Sequence, residues 1–110
     1  MNNFKLFCIT NIQNKELEDL PFDLVGVGKN TFNNNYITCN EGQNINEKEK
    51  YYSELTFHYW FWKNKLNHFP DETWIGFCQR RRFWVSSTNI EENYTLKNII
   101  LNKTPIEWNE

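Results

Sequence analysis

Residues 51–84 read YYSELTFHYWFWKNKLNHFPDETWIGFCQRRRFW. This stretch holds most of the aromatic side chains, both histidines and three consecutive arginines near its end. Its pattern predicts an amphipathic helix, a short connection and a buried strand that delivers polar residues at its carboxyl end. The helix is expected to begin near Asn46. An asparagine can accept from a free backbone N–H, Glu49 three residues on resembles a capping box, and Glu47 and Glu49 suit the positive end of a helix. At about 100° per residue, Tyr51, Tyr52, Leu55, Tyr59, Trp62 and Leu66 share one arc, which is expected to pack on a sheet. Phe57, Trp60 and Phe61 fall on a second arc, roughly opposite, and are expected to face a missing part of the protein or another chain. Glu54 lies between the arcs, four residues from both Lys50 and His58. It is either one half of a surface pair or a partly buried carboxylate at the sheet's edge. His58 reads as a packed histidine, and His68 lies in a loop.

Pro70 and Asp71 make a turn. Thr73–Cys78 (TWIGFC) then leaves no polar face, so it is expected to be a central strand, with Gly76 admitting a close neighbour. The run turns polar at Gln79, Arg80, Arg81 and Arg82. In an open parallel sheet, ligands bind beyond the carboxyl ends of the strands, where these arginines would stand. A guanidinium is a planar fork of donors that matches phosphate or carboxylate. In an extended chain Arg80 and Arg82 would share one side, and Gln79 and Arg81 the other. One pair could then face a ligand and the other pair with carboxylates such as Glu54. The alternative is a solvated basic loop tip.

Upstream, Phe4–Thr10 (FKLFCIT) suits a strand buried on both faces, and Thr10 and Asn11 at its carboxyl end are candidate ligand contacts. Residues 13–21 have room for a helical turn before Pro21. Phe22–Val27 is a second strand candidate closed by Gly28. Residues 29–46, rich in asparagine, read as a loop with a brief extended piece at Tyr36–Cys39. Downstream, Ser86, Ser87 or Thr88 could cap a second helix with Tyr94, Leu96, Ile99, Ile100 and Leu101 on its apolar side and Pro105 at its end.

A chain of 110 residues is one domain at most. With 17% aromatic residues, few core positions can still support a fold. A net charge of −2 argues against a general nucleic-acid binder, which needs excess positive charge to release counterions. Cys8, Cys39 and Cys78 are odd in number and form no CxxC, so neither a disulfide framework nor a zinc knuckle is expected. A reducing, cytoplasmic compartment fits. No signal peptide opens the chain, and no apolar run approaches the ~18 residues of a spanning helix. GxGxxG, P-loop, GxSxG, HExxH and D-x-D patterns are all missing from the sequence. Glu16 and Glu18, with Asp19 beside them, have the D-x-D spacing but do not directly follow a strand.

Two linked motifs in the central stretch resemble those of DUF4422, a bacterial family of glycosyltransferase-like domains found in capsular and exopolysaccharide biosynthesis proteins. A motif close to YxELTxxYWxWKN is met by Tyr52, Glu54, Leu55, Thr56, Tyr59, Trp60, Trp62, Lys63 and Asn64. One close to YIGLxHYRRYF is met by Trp74, Ile75, Gly76, Phe77, Arg81, Arg82, Phe83 and Trp84. The likeness is clear over residues 44–84 and looser at both ends. It implies an α/β fold, a small Rossmann-like (GT-A-like) parallel sheet with flanking helices, here as an incomplete N-terminal half. It also implies transfer of a sugar from a nucleotide-sugar donor to a glycan acceptor, in the cytoplasm or peripheral to the inner membrane through partners. A divalent metal, Mn²⁺ or Mg²⁺, would be held by a D-x-D pair beyond residue 110 in a full-length relative, with no cofactor in this chain and no catalysis from it alone. The residues themselves add a compatible expectation: Arg81 and Arg82 clamp negative charge on the diphosphate or acceptor, and Glu54 holds one of those arginines in place. Gln79 stands where the motif has histidine and Arg80 where it has tyrosine. Glutamine can hydrogen-bond but cannot act as acid or base. A second reading is a non-catalytic glycan- or protein-binding module that uses the Phe57, Trp60 and Phe61 face.

Overall fold

The computed structural model describes residues 4–85 together with residue 100. In chain order the elements are β1 (Phe4–Thr10), α1 (Lys15–Glu18), β2 (Asp23–Gly26), β3 (Tyr36–Thr38), α2 (Glu49–Tyr52), α3 (Leu55–Asn64) and β4 (Trp74–Gln79). The strands form one parallel sheet in the order β3-β2-β1-β4. With helices on both faces, this is a small α/β Rossmann-like fold. The expected helix after Ser86–Thr88 lies outside the described residues, apart from Ile100.

Strand β1 forms because its residues are apolar on both sides of the pleat. Phe7 and Ile9 join Val25 and Val27 of the β2 segment in one core, while Leu6 and Cys8 join Leu24, Tyr36 and Cys78 in the other. The first core is covered by α3, the second by Leu17 of α1 and by Ile100. Cys8 and Cys78 are register partners, and both are free thiols. The hydrogen bond with Cys78, then burial, pushes the Cys8 thiol well above its ordinary pKa. Burial pushes Cys39 up to about 12. These are protonated, apolar-behaving cysteines.

The asparagines of the 29–46 loop act as backbone partners. Asn30 Nδ2 donates to the Asn11 carbonyl at 2.7 Å, and the Asn33 N–H donates to Gln13 Oε1 at 2.8 Å. Asn46 does not cap the helix. It accepts from the Gly28 N–H at 2.8 Å and donates to the Gly28 carbonyl at 3.0 Å, clasping a glycine at φ +91°. Nor is the helix continuous: Ser53, at φ +50° and ψ −123°, breaks it into α2 and α3. These are the angles of the first central residue of a type II′ turn, a place that favours glycine.

The two arcs of the helix are exchanged relative to expectation. Phe57, Trp60 and Phe61 face the sheet and are buried, whereas Tyr51, Tyr52, Leu55, Trp62 and Leu66 are exposed. The Tyr59 hydroxyl explains the choice. Turning the other arc of α3 inward would bury the Tyr59 phenol with few partners, at about 1–3 kcal/mol. Fully burying a phenylalanine contributes about 1.5–3 kcal/mol with nothing to satisfy. Trp60, the polar member of the inner set, donates its indole N–H to the Glu41 carbonyl at 2.7 Å. Phe7 is the focus, its ring 5.2 Å from Phe57 and 5.3 Å from Phe61.

Strand β4 is not the central strand expected of Thr73–Cys78. Among the described residues it pairs with β1 alone and forms the sheet's edge, and β1 and β2 are the inner strands. Trp74 is 40% exposed. Ile75 and Phe77 pack on the α3 side and Cys78 on the other, so both faces still demand apolar residues. An apolar run reports how its faces are covered, not how many strands flank it. Gly76 does admit a close neighbour, because an added Cβ would stand 3.0 Å from Leu6 Cδ1.

Candidate functional site

Two strands follow β1 to one side and β4 lies on the other, so the sheet's order reverses at β1/β4. Neighbouring carboxyl ends diverge at such a point and leave a crevice. A cavity of about 620 Å³ opens there. Its floor is the end of β1 with Thr10 and Asn11, one wall is Gln79–Arg82, and the other is Glu49, Lys50, Ser53 and Glu54 at the α2–α3 junction. All six residues singled out from sequence (Thr10, Asn11, Glu54, Gln79, Arg81 and Arg82) line this one cavity.

The arginine wall is not extended. The Gln79 N–H donates to the Arg82 carbonyl at 3.1 Å and the Arg82 N–H to the Gln79 carbonyl at 3.0 Å, which closes a tight turn with Arg80 and Arg81 at its tip. The expected alternation of sides is therefore absent. The chain beyond is anchored twice: Phe83 stacks on Phe22 with centroids 5.9 Å apart, and the Trp84 indole N–H donates to the Phe77 carbonyl at 2.9 Å. Backbone bonds and two aromatic anchors thus hold the turn, and the guanidinium groups are not needed for that task.

Thr10 is buried, and its hydroxyl is used locally. It donates to the Ile12 carbonyl at 2.7 Å and accepts from the Ile12 N–H at 3.2 Å, shaping the exit of β1. Among the described residues Lys5 and Asp23 form an ion pair, while neither Glu54 nor the three arginines enter one. Glu54 does act on His58. Burial lowers the pKa of that imidazole, and the charge of Glu54 raises it in partial opposition. His58 stacks on Phe77 with centroids 4.2 Å apart, as a packed histidine would.

Sequence reasoning missed Glu49, Lys50 and Ser53 as wall residues. The continuous helix it assumed puts them one turn along a surface, whereas the break at Ser53 folds α2 against the crevice mouth. Other motif residues serve the scaffold. Asn64 Nδ2 donates to the Gln43 and Trp60 carbonyls, and its Oδ1 accepts from the Gln43 N–H, tying the loop before α2 to the end of α3.

Four cationic side chains (Lys50, Arg80, Arg81 and Arg82) and two carboxylates (Glu49 and Glu54) line the crevice. This donor set does not fit a divalent cation, which wants several convergent oxygens and no adjacent guanidinium. No group of three metal-ligating side chains occurs among the described residues. The excess positive charge suits a polyanion such as a phosphate or diphosphate. No helix among the described residues is long and apolar enough to cross a membrane.

Comparison with known proteins agrees with the two motifs. A family described as "Domain of unknown function (DUF4422)" matches residues 6–107. Neither the curated proteins nor the solved structures contain a match. Because the matched span runs from β1 through the arginine turn and covers nearly the whole chain, the protein belongs to the DUF4422 family.

Proposed function

We propose that this chain forms the donor-binding part of a glycosyltransferase-like protein of bacterial surface polysaccharide biosynthesis. One observation carries the reading: a cationic crevice at the carboxyl ends of β1 and β4, where the strand order reverses. The diphosphate of a nucleotide-sugar lies against Arg81 and Arg82. Gln79 hydrogen-bonds to it, and Asn11 meets it from the β1 side. In the transfer, an acceptor hydroxyl oxygen bonds to the anomeric carbon and passes its proton to solvent water in the open crevice. The bond from that carbon to the diphosphate oxygen breaks, and the nucleoside diphosphate departs with the electron pair. Charge grows on the leaving group as the bond lengthens, so guanidinium groups already in place stabilise the transition state more than the bound donor. The fixed turn provides that preorganisation. Three free, buried cysteines suit a reducing cytoplasmic setting.

Calorimetric titration with UDP, GDP and dTDP tests this, with uridine as the phosphate-free control. At least one diphosphate should bind, uridine should bind much more weakly, and added Mn²⁺ or EDTA should leave the affinity unchanged. Charge-assisted bonds of about 1.5–3 kcal/mol each predict at least a tenfold loss in Arg81→Ala and more in the double Arg81→Ala, Arg82→Ala variant. Equal diphosphate affinity in that double variant and the parent chain would sink the proposal.

A further inference from the structure

A second cavity, of about 390 Å³, opens beside the crevice and shares Ile9, Glu54, Gln79 and Arg82 with it. Its other walls differ in kind. Leu55, Phe77 and Trp84 make an apolar surface, and the half-buried ring of His58 lies on Phe77. Trp84 is 54% exposed although its indole N–H is committed to the Phe77 carbonyl. The ring is therefore fixed beside β4 with surface left free. Glu54 stands at the boundary of the two cavities with no ion-pair partner among the described residues.

An aromatic wall with a few fixed polar groups at one rim narrows the ligand. A second phosphate would meet the Glu54 carboxylate and an apolar wall. A lipid chain would bury Glu54, Gln79 and Arg82 without partners, which is costly. A pyranose ring answers both halves: its C–H face covers the indole, and its hydroxyls reach the carboxylate, amide and guanidinium. We propose that this smaller cavity binds a hexopyranose of the acceptor glycan, with its ring on Trp84 and one hydroxyl donating to Glu54 at the border with the crevice. Calling that sugar the acceptor rests on the donor reading above. The hydroxyl held by Glu54 is the one that faces the donor, so Glu54 selects which position of the sugar is glycosylated. This places Glu54 on the substrate instead of on an arginine.

Saturation-transfer NMR on the full chain tests the inference. The probes are methyl α- and β-glycosides of glucose, galactose, mannose and N-acetylglucosamine, with and without saturating UDP. At least one glycoside should receive saturation at its ring protons. Its affinity should fall at least about tenfold in Trp84→Ala and about fivefold in Glu54→Gln, for the lost stacking face and charge-assisted bond. It should persist in Arg81→Ala, whose UDP affinity is weakened. Should Trp84→Ala fail to fold, Leu55→Asp tests the same wall from an exposed helix position. No transfer to any glycoside, or binding unaltered in either wall variant or in Glu54→Gln, would overturn the inference. UDP binding without glycoside binding defeats this inference alone. Glycoside binding without diphosphate binding defeats the donor reading and leaves a sugar site.

Discussion

On one side of α3, Thr56, Phe57, Trp60 and Phe61 are buried against the sheet; on the other, Leu55 is 54% and Trp62 58% exposed. Both sides are rich in rings, and amphipathicity in the usual sense does not separate them. What separates them is how each ring meets its polar obligations. The inner phenylalanines have none, and the Trp60 indole finds a carbonyl. On the outer side the Lys63 ammonium lies 4.0 Å from the centroid of Trp62. The outer rings thus keep polar company that the core could not provide.

Substitutions on the two sides of α3 test this contrast. Phe57→Ala should cost about 3–5 kcal/mol, the range for a large buried ring, whereas Trp62→Ala should cost less than about 1 kcal/mol. Chemical denaturation of both variants decides it. A Trp62→Ala penalty as large as that of Phe57→Ala would mean that the outer side is covered in solution. Thr56 is the one inner residue that breaks the pattern, since its Oγ1 is buried with no hydrogen-bond partner among the described residues. Thr56→Val removes that group at nearly constant shape and should raise stability by about 1 kcal/mol. A loss of that size would show that the hydroxyl has a partner.

The smallest effect belongs to His58, on the flank between the two sides. Its folded pKa lies below the ordinary 6.5, so the unfolded chain binds the extra proton first as pH falls. Its contribution to stability is present above about pH 6.5 and is lost as pH drops through the lowered folded value. Melting temperature followed downward from about pH 7 should fall more in the parent chain than in His58→Gln. Parallel curves would mean that His58 has the same pKa folded and unfolded.

Much of the architecture was legible from residue type. FKLFCIT and TWIGFC are apolar on both sides of the pleat, and that alone demands a sheet covered twice. The crevice was legible as well, because polar residues directly after each run must fall at the carboxyl ends of parallel strands. The sidedness of α3 was not. Two opposed apolar arcs have the same period, and the choice depends on hydroxyl partners that only the folded chain supplies. The break at Ser53 had no glycine or proline to announce it. The arginine turn was hidden because alternation assumes an extended backbone, whereas Gln79 and Arg82 pair with each other. The edge position of β4 was equally hidden, since covered faces say nothing about flanking strands.

The placement of β1 also sets a schedule. Its outer partner is remote: Phe4 pairs with Trp74, a separation of 70 residues (74 − 4). At synthesis rates of about 5–20 residues per second, roughly 4–14 s pass between the making of β1 and the making of that neighbour. For that interval FKLFCIT has one edge open, and until Leu55–Asn64 has been made it also has no α3 over its rings. An apolar strand waiting in that condition is a natural target for a chaperone at the ribosome, and for unwanted pairing if none arrives.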